Sequence, residues 1–255
     1  MTTSTLTAGA ALLLTCTTLL SPADAVAGNV VIAPVRVYLD EISTNAAIEL
    51  SNPTDEPISM QVEAVSWHQN EVGEDRYAPS SDLLAFPPIF TIRPGETQLV
   101  RVGLAEPGNR SEEQAFRLYF TELPPPQNDN LHSALRMRLR IGVPVFATQT
   151  SEPRLGLSLV ESQIDGENLF LTLQNSGDGH LRLTELYPEG QASHQNRSNA
   201  RYLLPGASHQ FAVAMPTDTE AATVLAITDQ LGVSELTIDW STVGIVPGSG
   251  QLASR

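Results

Sequence analysis

The stretch from Leu131 to Phe146, LHSALRMRLRIGVPVF, limits what this chain can fold into more than any other. Leu131, Ser133, Leu135, Met137, Leu139, Ile141, Val143 and Val145 fall on one side of a period-two pattern. His132, Ala134, Arg136, Arg138 and Arg140 fall on the other. Such alternation specifies a β-strand with one buried face. Strands usually run about five or six residues, and this one extends roughly twice that before Gly142 and Pro144 interrupt it. It is longer than its own sheet needs. An apolar row left at a sheet edge is a template for another chain, so it is covered either by this chain or by a partner laid along it as an added strand.

Composition narrows the partner. The chain has 255 residues, 41% of them hydrophobic, enough apolar mass for one or two well-formed cores. All 14 basic residues are arginine, and the net charge is −15. A chain this acidic is repelled by nucleic acid and by anionic membrane, so neither is an expected partner. Against that background Arg136, Arg138 and Arg140 concentrate positive charge within five residues of the long strand.

The first 27 residues are of a different kind. An apolar run, Leu12 to Leu20, is broken by Pro22 and followed by Ala25-Val26-Ala27, the small-x-small pattern of a secretory signal, with Gly28 as the mature start. The one cysteine, Cys16, lies inside it, and Leu14-Thr15 before it is a poor match to lipoprotein processing. The mature chain therefore has no disulfide, thiolate nucleophile or cysteine zinc site.

From Gly28 onward the chain reads as short strands between turns. Val30 to Leu39 is a first strand with Pro34 in its middle, a mark of an edge or of a switch between sheets. Ala46 to Ser51 and Ile58 to Trp67 flank the turn cluster Asn52 to Pro57. Pro87 and Pro88 are candidates for a cis peptide, because an X-Pro bond adopts that form at little cost. Pro94-Gly95 precedes a strand from Gln98 to Leu104, and Ala115 to Leu123 precedes the long strand. Turn-punctuated strands without helical periodicity indicate an all-β chain of immunoglobulin-like sandwiches.

The second half repeats this grammar. Leu169 to Gln174, the turn Asn175 to Gly179 and Leu181 to Leu186 mirror the first-half arrangement around Asn52. Pro205-Gly206 leads into Gln210 to Ala214 as Pro94-Gly95 led into its strand. Two sandwiches in series follow: a signal over 1–27, an N-terminal domain over 28–148, a linker over 149–153, a C-terminal domain over 154–243 whose last strand is Glu235 to Trp240, and a loose tail over 244–255.

Catalytic signatures are missing from the sequence. It has no Gly-x-Ser-x-Gly elbow, His-Glu-x-x-His or Gly-rich phosphate loop, and its five histidines are scattered. Asn175 to Gly179 lacks the oxygen-ligand spacing and closing Glu of a calcium loop. The expectation is a binding protein, not an enzyme, with no metal or cofactor.

The ordered set Pro34-x-Arg36, the Asn52 turn, Trp67, Tyr77-x-Pro79, Pro87-Pro88-x-Phe90, Pro94-Gly95, Arg117-Leu118-Tyr119, Glu122-Leu123-Pro124 and Arg140 to Phe146 resembles the PapD-like periplasmic pilus chaperones. Its last motif is most similar to the archaic chaperone-usher branch. That resemblance implies two immunoglobulin-like domains in a boomerang, and a long strand lent to a pilus subunit whose own fold lacks one. It implies donor side chains at Leu131, Ser133, Leu135 and Met137, with Ser133 smaller than the bulky residue expected there. It implies that Arg36 and Arg140 anchor the subunit's C-terminal carboxylate, and that the complex passes to an outer-membrane usher. The free chaperone would cap its own edge by pairing with a second copy. The alternative is a two-domain adhesion module whose strand pairs only with itself; a secreted hydrolase on a sandwich scaffold ranks below it.

Overall fold

The structure, a computed structural model, describes residues 30–106, 112–124, 138–149, 152–166, 168–190, 200–215 and 223–245. Among them every regular element is a β-strand. Two sheets form the first sandwich. One contains β1 (Val31–Ala33), β3 (Asn45–Ser51), β8 (Thr97–Leu104) and β6 (Leu83–Phe86), in that order. The other runs β2 (Val37–Leu39), β10 (Arg140–Ala147), β9 (Gln114–Glu122), β4 (Ile58–Gln69) and β5 (Asp75–Pro79), with β7 (Ile89–Ile92) also pairing with β4.

Pro34 divides the first segment. Before it, β1 pairs antiparallel with β3; after it, β2 pairs parallel with β10 in the opposite sheet. Proline has no N–H for a ladder, so pairing stops there and the chain changes sheets. The Ala33–Pro34 bond is cis, as is Phe86–Pro87, the bond that enters the double proline.

Period-two alternation fills the core between these sheets. Ile48, Leu50, Val100, Val102, Phe116, Leu118, Phe120, Val143 and Val145 all point inward and are buried. Each such side chain contributes roughly 1.5–3 kcal/mol by leaving water.

The second sandwich has its own core. One sheet orders β15 (Ser208–Ala214), β12 (Asn168–Asn175), β11 (Leu157–Asp165) and β18 (Gly244–Ile245). Its partner orders β14 (Arg201–Leu203), β13 (Leu181–Pro188), β16 (Thr223–Thr228) and β17 (Gly232–Thr237). The last long strand differs from the expected Glu235 to Trp240. It begins directly after the hairpin turn, Gly232 opposite Thr228, and ends at Thr237 opposite Thr223. Asp239 then bonds the backbone and hydroxyl of Ser241 and turns the chain. Gly244–Ile245, within the stretch read as a tail, pairs with β11.

The duplication seen in the sequence is one device built twice. Buried Asn52 donates from Nδ2 to the carbonyls of Glu56 (2.7 Å) and Ile92 (3.0 Å) and accepts from Thr54 N–H (2.9 Å). Buried Asn175 donates to Gly179 (2.8 Å) and Leu203 (2.9 Å) and accepts from Gly177 N–H (2.9 Å). The backbone carbonyl of each asparagine also accepts from the glycine of the matching Pro-Gly turn, Gly95 for Asn52 and Gly206 for Asn175. Both glycines have positive φ, which a side chain disfavours.

Of the long alternating stretch, the structure describes only the portion from Arg138 onward. The donor positions Leu131, Ser133, Leu135 and Met137 lie outside the described residues.

Candidate functional site

Alternation along β10 sends Ile141, Val143 and Val145 into the core and Arg140, Gly142, Pro144 and Phe146 to the outer face. Register extends this face across the sheet in rows. Phe146, Ala115, Trp67 and Tyr77 make one row; Pro144, Arg117, Val65 and Pro79 the next; Gly142, Tyr119 and Glu63 a third; Arg140, Thr121 and Gln61 a fourth.

The aromatic row carries the second sandwich. Trp67, Ala115 and Phe146 pack with Leu204, Ala207 and Tyr202. The His180 ring lies flat on Phe146, with centroids 3.5 Å apart and planes 8° from parallel. Its Nδ1 meets Glu113 Oε1 at 2.8 Å, its backbone N–H donates to the same oxygen at 2.9 Å, and Gln230 Nε2 lies 3.0 Å from its Nε2. The tautomer with the proton on Nδ1 satisfies both ring contacts. Gln69 bonds the backbone of Tyr202 and Leu204, each at 2.9 Å. At the tip of the β4–β5 hairpin, Gly73 has positive φ, and a Cβ there would run into the Ser208 carbonyl.

Beyond this row the face turns cationic. The Arg117 guanidinium lies over Trp67 at 4.3 Å and near Tyr77 at 5.6 Å, while its buried Nε has no hydrogen-bond partner. It fits because Gly142 has no side chain: a Cβ there would come 3.2 Å from both Arg117 Cδ and Tyr119 Cε1. Arg140 lies 3.9 Å above the Tyr119 ring, and its Nη2 approaches Glu63 Oε2, also at 3.9 Å. Its side chain is 55% exposed. Burial and the neighbouring Asp75 carboxylate push the Tyr77 hydroxyl pKa well up, against an opposing pull from Arg117, so Tyr77 stays a neutral phenol.

Arg36 is held differently. It sits just before β2, and its Nη1 contacts Asp229 Oδ2 at 2.8 Å. Arg182 Nη1 contacts the same oxygen at 3.1 Å and Oδ1 at 3.4 Å. Asp229 lies on the β16–β17 turn, so this cluster joins the two sandwiches. Burial alone would raise the Asp229 pKa, but the hydrogen bonds from Arg36 and Arg182 outweigh it and hold the carboxyl below its ordinary value. The hydrogen bond to Asp229 is also the main cause that raises Arg36, against a smaller opposing effect of burial. A carboxyl with a depressed folded-state pKa stabilises the fold above its unfolded value and loses that contribution as pH falls through the folded value. Asp229→Asn should therefore remove part of the acid sensitivity of thermal unfolding below the ordinary carboxylate range and leave the profile above pH 6 parallel to wild type. A variant profile superimposable on wild type throughout acid pH would refute this linkage.

The two arginines expected to act together are not in contact. Val37 pairs with Val145, so Arg36 comes level with Pro144, and Arg140 is four residues further along, roughly 13 Å at strand rise. Arg117 and Tyr119 were missed as site residues. Their i, i+2 spacing put them on one face, but only the register shows them opposite Pro144 and Gly142. Asp229 and Arg182 carried no sequence signal. Among the described residues no group of three or more His, Asp or Glu side chains is placed to hold a metal ion.

Among the described residues, one edge of β10 is half open. β9 pairs with it from Arg140 to Ala147, whereas β2 covers only Val145 to Ala147. Among the described residues, Arg140 to Pro144 have no strand on the β2 side.

Comparison with known proteins places this arrangement. Residues 29–148 match the family described as pili and flagellar-assembly chaperone, PapD N-terminal domain. No curated protein matches the sequence. Among solved structures, the chain is similar to one from the CsuC–CsuE chaperone-tip adhesion subunit pre-assembly complex of the archaic chaperone-usher Csu pili of Acinetobacter baumannii. Identity is 21% and the TM-score 0.59, over 86% of this chain and 100% of that one. It is similar also to a chain of the Salmonella enterica SafA pilin complex with the SafB chaperone, at 17% identity and TM-score 0.56, over 82% and 95%. The Escherichia coli chaperone DraB matches at 16% identity and TM-score 0.56, again over 82% and 95%. At these identities the structures share the fold, and the family match covers the first sandwich: residues 29–148 belong to the PapD N-terminal domain family of pili and flagellar-assembly chaperones.

Proposed function

We propose that the protein is a periplasmic chaperone that holds pilus subunits by lending them the long strand that ends in β10, and that passes them to an outer-membrane usher. The observation that carries this reading is the half-open edge. A subunit strand laid along it, parallel to β10, would be collinear with β2 and would run out where β2 begins, at Arg36. Its C-terminal carboxylate would then meet a floor of Gly142 and Pro144 with Arg140, Arg117 and Arg36 around it. Arginine suits this task, because it stays charged and can donate two parallel hydrogen bonds to a carboxylate. Leu131, Ser133, Leu135 and Met137 precede this edge and would supply the donor side chains, with the shallowest pocket at Ser133. Each large donor contributes about 1.5–3 kcal/mol when buried, and the main-chain ladder fixes register. The named complexes among the similar structures, chaperones with a tip adhesion subunit or a pilin, support a subunit as the partner.

Co-expression of residues 28–255 with small secreted subunits from the same genome, and purification through a tag on this chain, tests the reading. A one-to-one complex that is lost when Leu135 and Met137 are both changed to Asp supports it. Isolation of a stable homodimer, indifferent to every subunit, would replace it with the adhesion-module reading.

A further inference from the structure

Arg36 is the arginine of the proposed anchor whose guanidinium is already hydrogen-bonded to a carboxylate, at 2.8 Å, whereas the Arg140 approach to Glu63 is 3.9 Å. We propose that Asp229 is a built-in occupant of the carboxylate site: it holds the Arg36 guanidinium until a subunit's C-terminus displaces it, and so sets how tightly that terminus binds. This rests on the carboxylate-anchor reading above.

Chemically, the Asp229 side chain and a chain terminus are the same group, and the 2.8 Å contact to Arg36 is the bond an incoming carboxylate would need. Ion pairs between partly exposed groups usually contribute little, because ordering two long side chains offsets the attraction. Asp229 is fixed in advance. Its backbone N–H donates to the Arg182 carbonyl at 3.1 Å, the next residue, Gln230, accepts from Arg182 N–H at 2.9 Å, and Leu231 N–H donates to Thr228 Oγ1 at 2.9 Å. The turn therefore presents the carboxylate with little further ordering. Arg36 precedes β2 at a bend and stands 31% exposed.

The exchange leaves no charge stranded. If Arg36 turns to a subunit carboxylate, Asp229 keeps Arg182, at 3.1 and 3.4 Å. Two guanidiniums share one carboxylate in the free protein, and a second carboxylate restores one-to-one pairing. Tyr202, beside both arginines and raised in pKa mainly by burial, remains neutral and does not supply that charge. A terminus that also engages Arg140 outcompetes Asp229, whereas a free carboxylate without a strand behind it does not. The device favours complete subunits over loose peptide ends.

Isothermal titration tests this with two synthetic peptides of alternating apolar sequence, identical except for a free C-terminal carboxylate or an amide. Wild type should prefer the free acid. Asp229→Asn, and independently Asp229→Ser, should tighten the free acid about tenfold, the scale of one charge-assisted hydrogen bond, and leave the amide unchanged. Adding Arg36→Gln should erase that gain. An unchanged or weaker free acid in both folded variants, with the wild-type acid preference intact, overturns the role of Asp229 alone. If wild type does not distinguish acid from amide, the anchor reading itself fails and the inference goes with it.

Discussion

Arg140→Ala is expected to weaken binding of a subunit by about 10- to 100-fold, enough to lose the complex during purification, while the free protein stays folded and its melting point falls by no more than about 4–8 °C. In the free protein Arg140 is 55% exposed, with the Tyr119 ring and a long approach to Glu63 as its contacts. An exposed cation–π contact contributes about 0.5–1 kcal/mol and a surface ion pair no more than about 1. Hydrogen bonds to a carboxylate contribute about 1.5–3 kcal/mol each, so binding loses far more than folding does. Arg140→Lys should recover part of the affinity, since the charge remains but the two-pronged geometry does not. Pull-down of the co-expressed complex together with a melting curve reads both quantities. Undiminished recovery with Arg140→Ala would remove Arg140 from the anchor.

Asn175→Ala should destabilise the second sandwich by about 3–5 kcal/mol. The side chain is fully buried and closes three hydrogen bonds, two within the Asn175 to Gly179 turn and one to Leu203 of β14. Alanine would leave the carbonyls of Gly179 and Leu203 and the N–H of Gly177 without partners, and unmade buried bonds cost about 1–3 kcal/mol each. Asn52→Ala should act in the same way on the first sandwich. Urea denaturation followed by tryptophan fluorescence reads the loss, because Trp240 packs against the core of the second sandwich and Trp67 lies where the two sandwiches meet. A loss below about 1 kcal/mol for Asn175→Ala would mean that the turn holds without its asparagine.

The sequence was informative wherever a property is local. Val30 to Leu39 carried its break at Pro34, because a residue without an N–H ends a ladder wherever it falls. The paired Asn and Pro-Gly turns were visible twice, because a turn is closed by residues a few positions apart. β11 and β17 were harder to see. Leu157–Asp165 mixes polar and apolar residues on a strand that is only partly covered, and Gly232–Thr237 is placed by the turn before it more than by its own side chains.

The site divides along the same line. Alternation by itself determined that Arg140 stands on the outer face of β10 and Arg117 and Tyr119 on one face of β9, since a strand's period is set by its own backbone. Only the tertiary structure decided that Arg117 lies opposite Pro144, that Gly142 opens the space for it, that among the described residues β10 is covered on its β2 side only from Val145 to Ala147, and that Arg36 meets Asp229, 193 residues away in sequence. The period of a strand tells a residue which side to face. Which residue it faces is fixed by register and by the packing of one sandwich on the other, and those depend on contacts between segments that the chain brings together only when it folds.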